Sequence, residues 1–330
     1  MNSVKSEGKK PLLILVAVLV ILNAVMCINL TLTYDFVFFL GFMILGIAVS
    51  SLIATLGGLP ALLISFAIGC LISLILLPFP LTAIKALSPL PFALTFKNVL
   101  KNKLGRSSAV AASSAVLTIS FCVYFVLYTF SSQGTVTPNA IINTFPNFFR
   151  ELTEIICTST TIKVAGELVP SITPEGAVKY LVALIGIFPG IMFFIISIAG
   201  YIGAWLYKKT IKLVTGLTLT TQSWKLKAAF PTSVMFILAL IVTSLSTSVS
   251  PISLASINIC IIIFPALFMT GLNSAFEPKI VNGYKFPRLL RPAILFILLL
   301  FNVMYFSFAC AFFALFDSIK SIIPKRKTEE

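Results

Sequence analysis

The sequence predicts an all-α fold, a polytopic transmembrane helical bundle, and two observations lead to this fold class. Hydrophobic residues make up 58% of the 330 residues and charged residues only 10%, whereas a soluble domain is about 25% charged. Apolar runs of helix-spanning length also recur from one end of the chain to the other. Because the chain has too few polar side chains to cover a water-facing surface, we expect it to fold in a lipid bilayer.

The apolar runs predict eight or nine membrane spans, since a bilayer core of about 30 Å needs roughly 20 apolar residues per helix. A further segment, 82–97, is short, contains Lys85 and is interrupted by Pro89 and Pro91. It is either a kinked ninth span or a re-entrant helix. The first run also resembles a signal peptide, but no clear cleavage site follows it, so an uncleaved span is favoured. The eight candidate spans are 11–29, 35–54, 60–80, 107–130, 178–207, 229–249, 252–276 and 290–316.

Basic residues in three short loops predict the orientation. Loops 97–106, 208–227 and 277–291 are rich in Lys and Arg, and Glu277 is the only acidic residue in them. Cytoplasmic loops carry such an excess, so all three are expected inside the cell. Segment 131–177 is then expected outside.

The two tails give a less consistent pattern. With 82–97 as a crossing, the favoured reading of nine spans places tail 1–10 in the cytoplasm and the charged tail 317–330 outside. With 82–97 re-entrant, both tails fall outside. In either case residues 1–330 are expected to form a single integral membrane domain, in the inner membrane of a bacterial cell.

The outer segment 131–177 is predicted to contain an amphipathic helix. Its apolar side chains fall on one helical face, while Arg150, Glu151 and Glu154 point the other way. Such a helix is either an interfacial lid over a binding cavity or a loop helix lying on the bundle. The apolar face consists of Phe148, Phe149, Leu152, Ile155 and Ile156.

Composition argues against an ordinary enzyme. The chain has no histidine, and none of its ten acidic residues lies beside another in mid-membrane. His-dependent catalysis and two-carboxylate metal sites therefore have no support. There is no Walker A lysine loop, and the six cysteines are far apart. The sequence predicts no catalytic residue, no metal site, no cofactor and no nucleic-acid partner.

Polar side chains inside the spans are the remaining indication of a site. Asn258, Asn302 and Tyr305 lie in apolar runs, and the last two are three residues apart. Polar groups at membrane depth need a partner or a cavity. They are expected either to line a ligand pocket between spans 252–276 and 290–316, beneath the outer segment, or to form hydrogen bonds between helices.

Three other features each have two interpretations. Trp224 in the inner loop is either an interfacial anchor or part of a docking surface for a partner. Small residues pair four positions apart at Ser108/Ala112 and Ala111/Ala115, and again in the patch at 199–204. Both patches predict close helix packing, within the bundle or against another subunit.

The second half of the chain resembles a known family. The resemblance rests on the apolar run 181–213 and on the shorter runs SWKLKAAFP (223–231), FPALFMTGLNSAFEPKI (264–280) and ALFDSIKSIIPKRK (314–327). Pro189, Trp224, Gly271 and Asp317 match the pattern of the YybS-like family of bacterial membrane proteins, which is grouped with the substrate-binding S components of energy-coupling-factor transporters. The resemblance implies a membrane-embedded binding subunit and transfers no site residues.

The expected function is therefore a non-enzymatic solute-binding or transport subunit. Because the chain has no ATPase motif of its own, an energising membrane subunit and ATPases are its expected partners, besides the lipid bilayer and an unidentified small molecule. The alternative is a membrane scaffold or envelope-biogenesis factor that transports nothing.

Overall fold

The structure is a computed structural model, and it is helical along most of its length. Its first half contains helices α1 (Leu13–Leu22), α2 (Phe36–Leu56), α3 (Gly58–Leu76), α4 (Leu90–Leu100), α5 (Arg106–Gln133) and α6 (Pro138–Thr144). Its second half contains α7 (Pro174–Thr215), a 3₁₀ turn (Gln222–Trp224), α8 (Phe230–Leu245), α9 (Pro251–Phe276), α10 (Leu290–Phe301) and α11 (Val303–Lys320). The described residues are 13–22, 36–76, 87–144, 150, 161–164, 167–170, 174–216, 222–246, 250–276, 280–281, 284–285 and 290–320.

Two short antiparallel hairpins accompany the helices. Strand β1 (Thr161–Val164) pairs with β2 (Glu167–Pro170), so that Thr161 lies opposite Pro170. Strand β3 (Ile280–Val281) pairs with β4 (Tyr284–Lys285). Both hairpins lie in segments that the sequence assigns to loops.

Helices α5, α7 and α9 are each long and apolar enough to cross a membrane. The chain is therefore a helical membrane protein, as the composition predicts. Helix α7 is longer than its predicted span 178–207, since it has 42 residues and a length of about 63 Å at 1.5 Å per residue. Four predicted features lie outside the described residues: tail 1–10, Lys85, the amphipathic helix at 148–156 apart from Arg150, and the end of the charged tail, 321–330.

Contacts within the chain define two compact units. The first contains the described residues of Met1–Leu117, Phe193–Val234 and Ile263–Glu330. The second contains those of Thr118–Met192 and Met235–Ile262. One buried cluster of the first unit joins α1 to α4 through Leu19, Ile53, Ala54, Leu62, Phe66 and Ala93.

Glycines allow close helix contacts in the first unit. A Cβ atom on Gly203 of α7 would lie 2.7 Å from Ile47 Cγ2 of α2, and a Cβ on Gly200 would meet Phe92 of α4. The predicted small patch at 199–204 therefore packs within the bundle. The other patch does not, because Ser108, Ala111 and Ala112 are exposed, whereas the neighbouring Ala109, Val110 and Ser113 are buried.

Three helices of the first unit run in the same direction. Along α2, Ile47 contacts Gly203 of α7, and Thr55 Oγ1 lies 2.7 Å from Tyr207 Oη further along the same helix. Along α4, Phe92 meets Gly200 and Phe96 stacks on Tyr207. The last turns of α2 and α4 therefore lie beside the same stretch of α7, near Tyr207. The predicted segment 82–97 overlaps α4, whose 11 described residues are too few to cross a bilayer by themselves.

The predicted span 290–316 is wrong as a single helix. It is divided at Asn302 into α10, with 12 residues, and α11, with 18. Leu295 of α10 and Cys310 of α11 belong to one buried cluster with Ala275 of α9. In a continuous helix these two residues would be about 22 Å apart. The chain therefore folds back at Asn302, and we call α10 and α11 together the terminal hairpin.

Contacts with α9 fix the direction of the terminal hairpin. Gly271 of α9 lies against Cys310, and Ser274 donates a hydrogen bond to Asp317 Oδ2. From the first contact to the second, the residue numbers increase on both helices, so α11 runs parallel to α9. Helix α10, the other arm of the hairpin, runs in the opposite direction. The hairpin consequently begins and ends near the Ser274 end of α9. There, Ser318 Oγ also donates to Ser233 Oγ at the start of α8, at 2.7 Å.

We expect Gly271→Ala to destabilise the first unit, because the added Cβ would collide with the Cys310 carbonyl group of α11. Overpacking of this kind costs about 1–3 kcal/mol. The matched control is Gly41→Ala in α2, where a Cβ would meet nothing within 4 Å. Thermal unfolding of the purified protein in detergent checks the prediction, and equal midpoints for the two variants would contradict it.

Candidate functional site

The side chain of Asn258 contacts the backbone of a neighbouring helix in the second unit. Its Nδ2 donates to Gly186 O of α7 at 2.8 Å and to Leu254 O at 3.0 Å, and its Oδ1 accepts from the Gly190 amide at 2.9 Å. Gly186 O and Gly190 N form one i to i−4 pair of α7, and the Asn258 amide bridges them. Pro189, which lacks an amide hydrogen, lies inside this turn.

Close approach of α9 to α7 makes this bridge possible. A Cβ on Gly190 would lie 2.5 Å from Asn258 Oδ1, and a Cβ on Gly186 would lie 2.9 Å from Leu254 Cδ1. Only glycine leaves room for the amide at this distance. Asn258 thus forms the hydrogen bonds between helices that were the alternative to its predicted ligand-lining role.

Asn302 and Tyr305 lie at the turn of the terminal hairpin. Asn302 is exposed at the break between α10 and α11, although its backbone retains bonds to Leu298 O and from Phe306 N. The Tyr305 side chain is 61% exposed. Asn258 belongs to the second unit and these two residues to the first, so a pocket shared by all three stays a prediction.

A buried arginine forms a second candidate site, in the first unit. Arg106, the first residue of α5, is only 7% exposed. Its Nη2 donates to the Tyr201 carbonyl of α7 at 3.1 Å, and its guanidinium carbon lies 5.8 Å from the centre of the Trp224 ring. Arg106 Nε and Trp224 Nε1 are buried without hydrogen-bond partners in the described part of the chain.

Aromatic side chains enclose this arginine. Trp224 is 3% exposed, so it is neither an interfacial anchor nor part of an exposed docking surface. Its ring centre is 5.9 Å from those of Phe96 and Tyr207. Ser223 Oγ holds the 3₁₀ turn in place, since it lies 3.1 Å from Val99 O and 2.8 Å from Asn102 Oδ1. We call Arg106, Trp224, Phe96 and Tyr207 the arginine cluster.

The contacts of Arg106 do not balance the cost of burying its charge. A cation–π contact contributes about 0.5–2 kcal/mol, and burial of an unpaired charge costs several kcal/mol. Lys208 repels it electrostatically, and Asp317, which bonds to Ser274, is the only acidic residue described in the first unit. The arginine cluster therefore carries a net positive charge.

No acidic or thiol cluster in the described residues resembles a metal centre. Among them, no three or more Cys, Asp or Glu side chains are grouped closely enough to hold a metal ion. Compared with protein-family models, with curated proteins and with solved structures, the chain matched none.

We expect Asn258→Ala to destabilise the α7–α9 contact, because Gly186 O and Gly190 N would lose their bridging partner beside Pro189. The expected loss is about 1–3 kcal/mol in the free energy of unfolding. Asn143→Ala in α6, an exposed position of the same unit, is the matched control and should change stability little. Unfolding in increasing mole fractions of SDS measures both, and a neutral Asn258→Ala would show that the bridge is energetically unimportant.

Proposed function

We propose that this chain is a non-enzymatic, multi-pass subunit of a transport assembly in a bacterial cell membrane. The terminal hairpin is the observation that supports this. It interrupts a run of apolar helix at Asn302, with Phe301 79% and Tyr305 61% exposed. The Asn302 backbone keeps its helical hydrogen bonds, but a polar side chain at membrane depth faces a partner or a cavity, and Tyr305 lies exposed at this turn. We infer that a partner subunit or a solute-filled cavity adjoins the hairpin.

The proposed topology has eight crossings and one re-entrant hairpin. The crossings are α1, α2, α3, the segment that ends in α4, and then α5, α7, α8 and α9. Supporting this, α2, α4 and α7 run in the same direction, and the terminal hairpin returns to the Ser274 end of α9. Both tails then lie in the cytoplasm with the three basic loops, which removes the conflict at the C-terminus that nine crossings would create.

A second candidate function is a membrane scaffold or envelope-biogenesis factor. The Asn258 bridge favours it, because three hydrogen bonds to backbone groups leave that amide little capacity for a solute. A scaffold would also use exposed small side chains such as Ser108, Ala111 and Ala112 of α5 for contact with another subunit.

Purification from native membranes in mild detergent distinguishes the two functions. A transport subunit should retain a small molecule, or bring with it an energising membrane subunit and ATPases, and a scaffold should bring enzymes of envelope assembly. Asn302→Leu should weaken the association at the hairpin, whereas Asn143→Ala should leave it intact. Mass spectrometry of the protein and small-molecule fractions is the measurement. A wild-type chain that purifies with neither a partner nor a ligand would contradict both functions.

A further inference from the structure

We propose that the arginine cluster binds a phosphate group through Arg106 and Trp224. Arg106 is a permanent cation, and in the described part of the chain no carboxylate pairs with it. Two buried donors, Arg106 Nε and Trp224 Nε1, have no acceptor. Groups of this kind bind a ligand that supplies negative charge and several acceptor oxygens, and a phosphate group has both properties.

The surroundings of the cluster attract anions. Lys97, Lys101 and Lys103 lie on one side of Arg106 in the chain, and Lys208, Lys209 and Lys212 lie on α7 beyond Tyr207. No acidic residue occurs in segments 97–106 and 208–227, which contain these lysines. A field of one sign raises the local concentration of anions, while the buried guanidinium would give the specific contact.

The protein fold holds the two donors in fixed positions. Tyr201 O accepts a hydrogen bond from the guanidinium, whose carbon lies over the Trp224 ring. Trp224 is itself fixed by contacts with Phe96 and Tyr207. Because the Tyr207 hydroxyl bonds to Thr55, four segments of the first unit position the site. Such preorganisation reduces the entropic cost of binding.

Two sources could provide the phosphate group. In the proposed topology, Arg106 begins a span at the cytoplasmic side, where anionic phospholipid headgroups are found. A free phosphate or phosphate ester in the cytoplasm has the same chemistry. This inference does not depend on the transport function, and binding in a symmetric bilayer does not depend on the orientation of the chain.

The test uses the full-length protein in nanodiscs. Thermal stability is compared in phosphatidylcholine and in phosphatidylcholine with added phosphatidylglycerol, and inorganic phosphate is titrated into each. Stabilisation by phosphatidylglycerol that persists at about 0.5 M salt would identify the lipid as the source, because buried contacts are screened less than surface lysines. Stabilisation by inorganic phosphate in phosphatidylcholine alone would identify a free phosphate. No stabilisation by either would overturn the proposal.

Variants assign the effect to the cluster. Arg106→Gln should weaken phosphate binding about tenfold, the effect of losing a charged hydrogen-bonding partner. Trp224→Phe keeps an aromatic ring but removes the donor, so it tests the site even if Arg106→Gln fails to fold. Trp205→Phe is the matched control, because Trp205 is 49% exposed and lies outside the cluster. If Trp224→Phe and Trp205→Phe lower the affinity equally, or neither does, the assignment is wrong.

Discussion

Backbone hydrogen bonding in a medium without water is the constraint on which this structure depends. Each unsatisfied amide or carbonyl group in the hydrocarbon core costs several kcal/mol, so a polar side chain there must find its partners within the protein. Asn258 of α9 finds them on the backbone of α7, where it donates to Gly186 O and accepts from the Gly190 amide. A polar side chain in an apolar helix here stabilises a helix pair.

The break at Asn302 is a different case. In the described residues its backbone keeps two helical hydrogen bonds, yet the side chains around it are exposed, including Phe301 and Tyr305. Close packing of α9 and α11 at Gly271 holds the hairpin against the bundle, while its turn faces outward. The described part of the chain thus leaves Phe301 and Tyr305 uncovered at the turn, which is why we relate it to a partner or cavity.

Hydropathy predicted most of the helices because long apolar runs have few alternatives in a bilayer. It did not predict the break in 290–316, since Pro292 lies ten residues before Asn302 and no proline or glycine lies beside it. It showed that Asn258 needs a partner but not that the partner is backbone 72 residues earlier. The arginine cluster was also hidden, because Arg106 resembles any cytoplasmic loop residue until the contact with Tyr201, 95 residues later, is known.

The central claim is that α10 and α11 enter and leave the bilayer on the same side. The most direct test is to fuse a fluorescent protein, active only in the cytoplasm, and alkaline phosphatase, active only outside, to the C-terminus in separate strains. The same fusions after residue 133 serve as the outside reference. We expect a fluorescent C-terminal fusion with inactive phosphatase, and the reverse at residue 133. Active phosphatase at the C-terminus would mean that 290–320 crosses the membrane, and it would contradict the re-entrant hairpin.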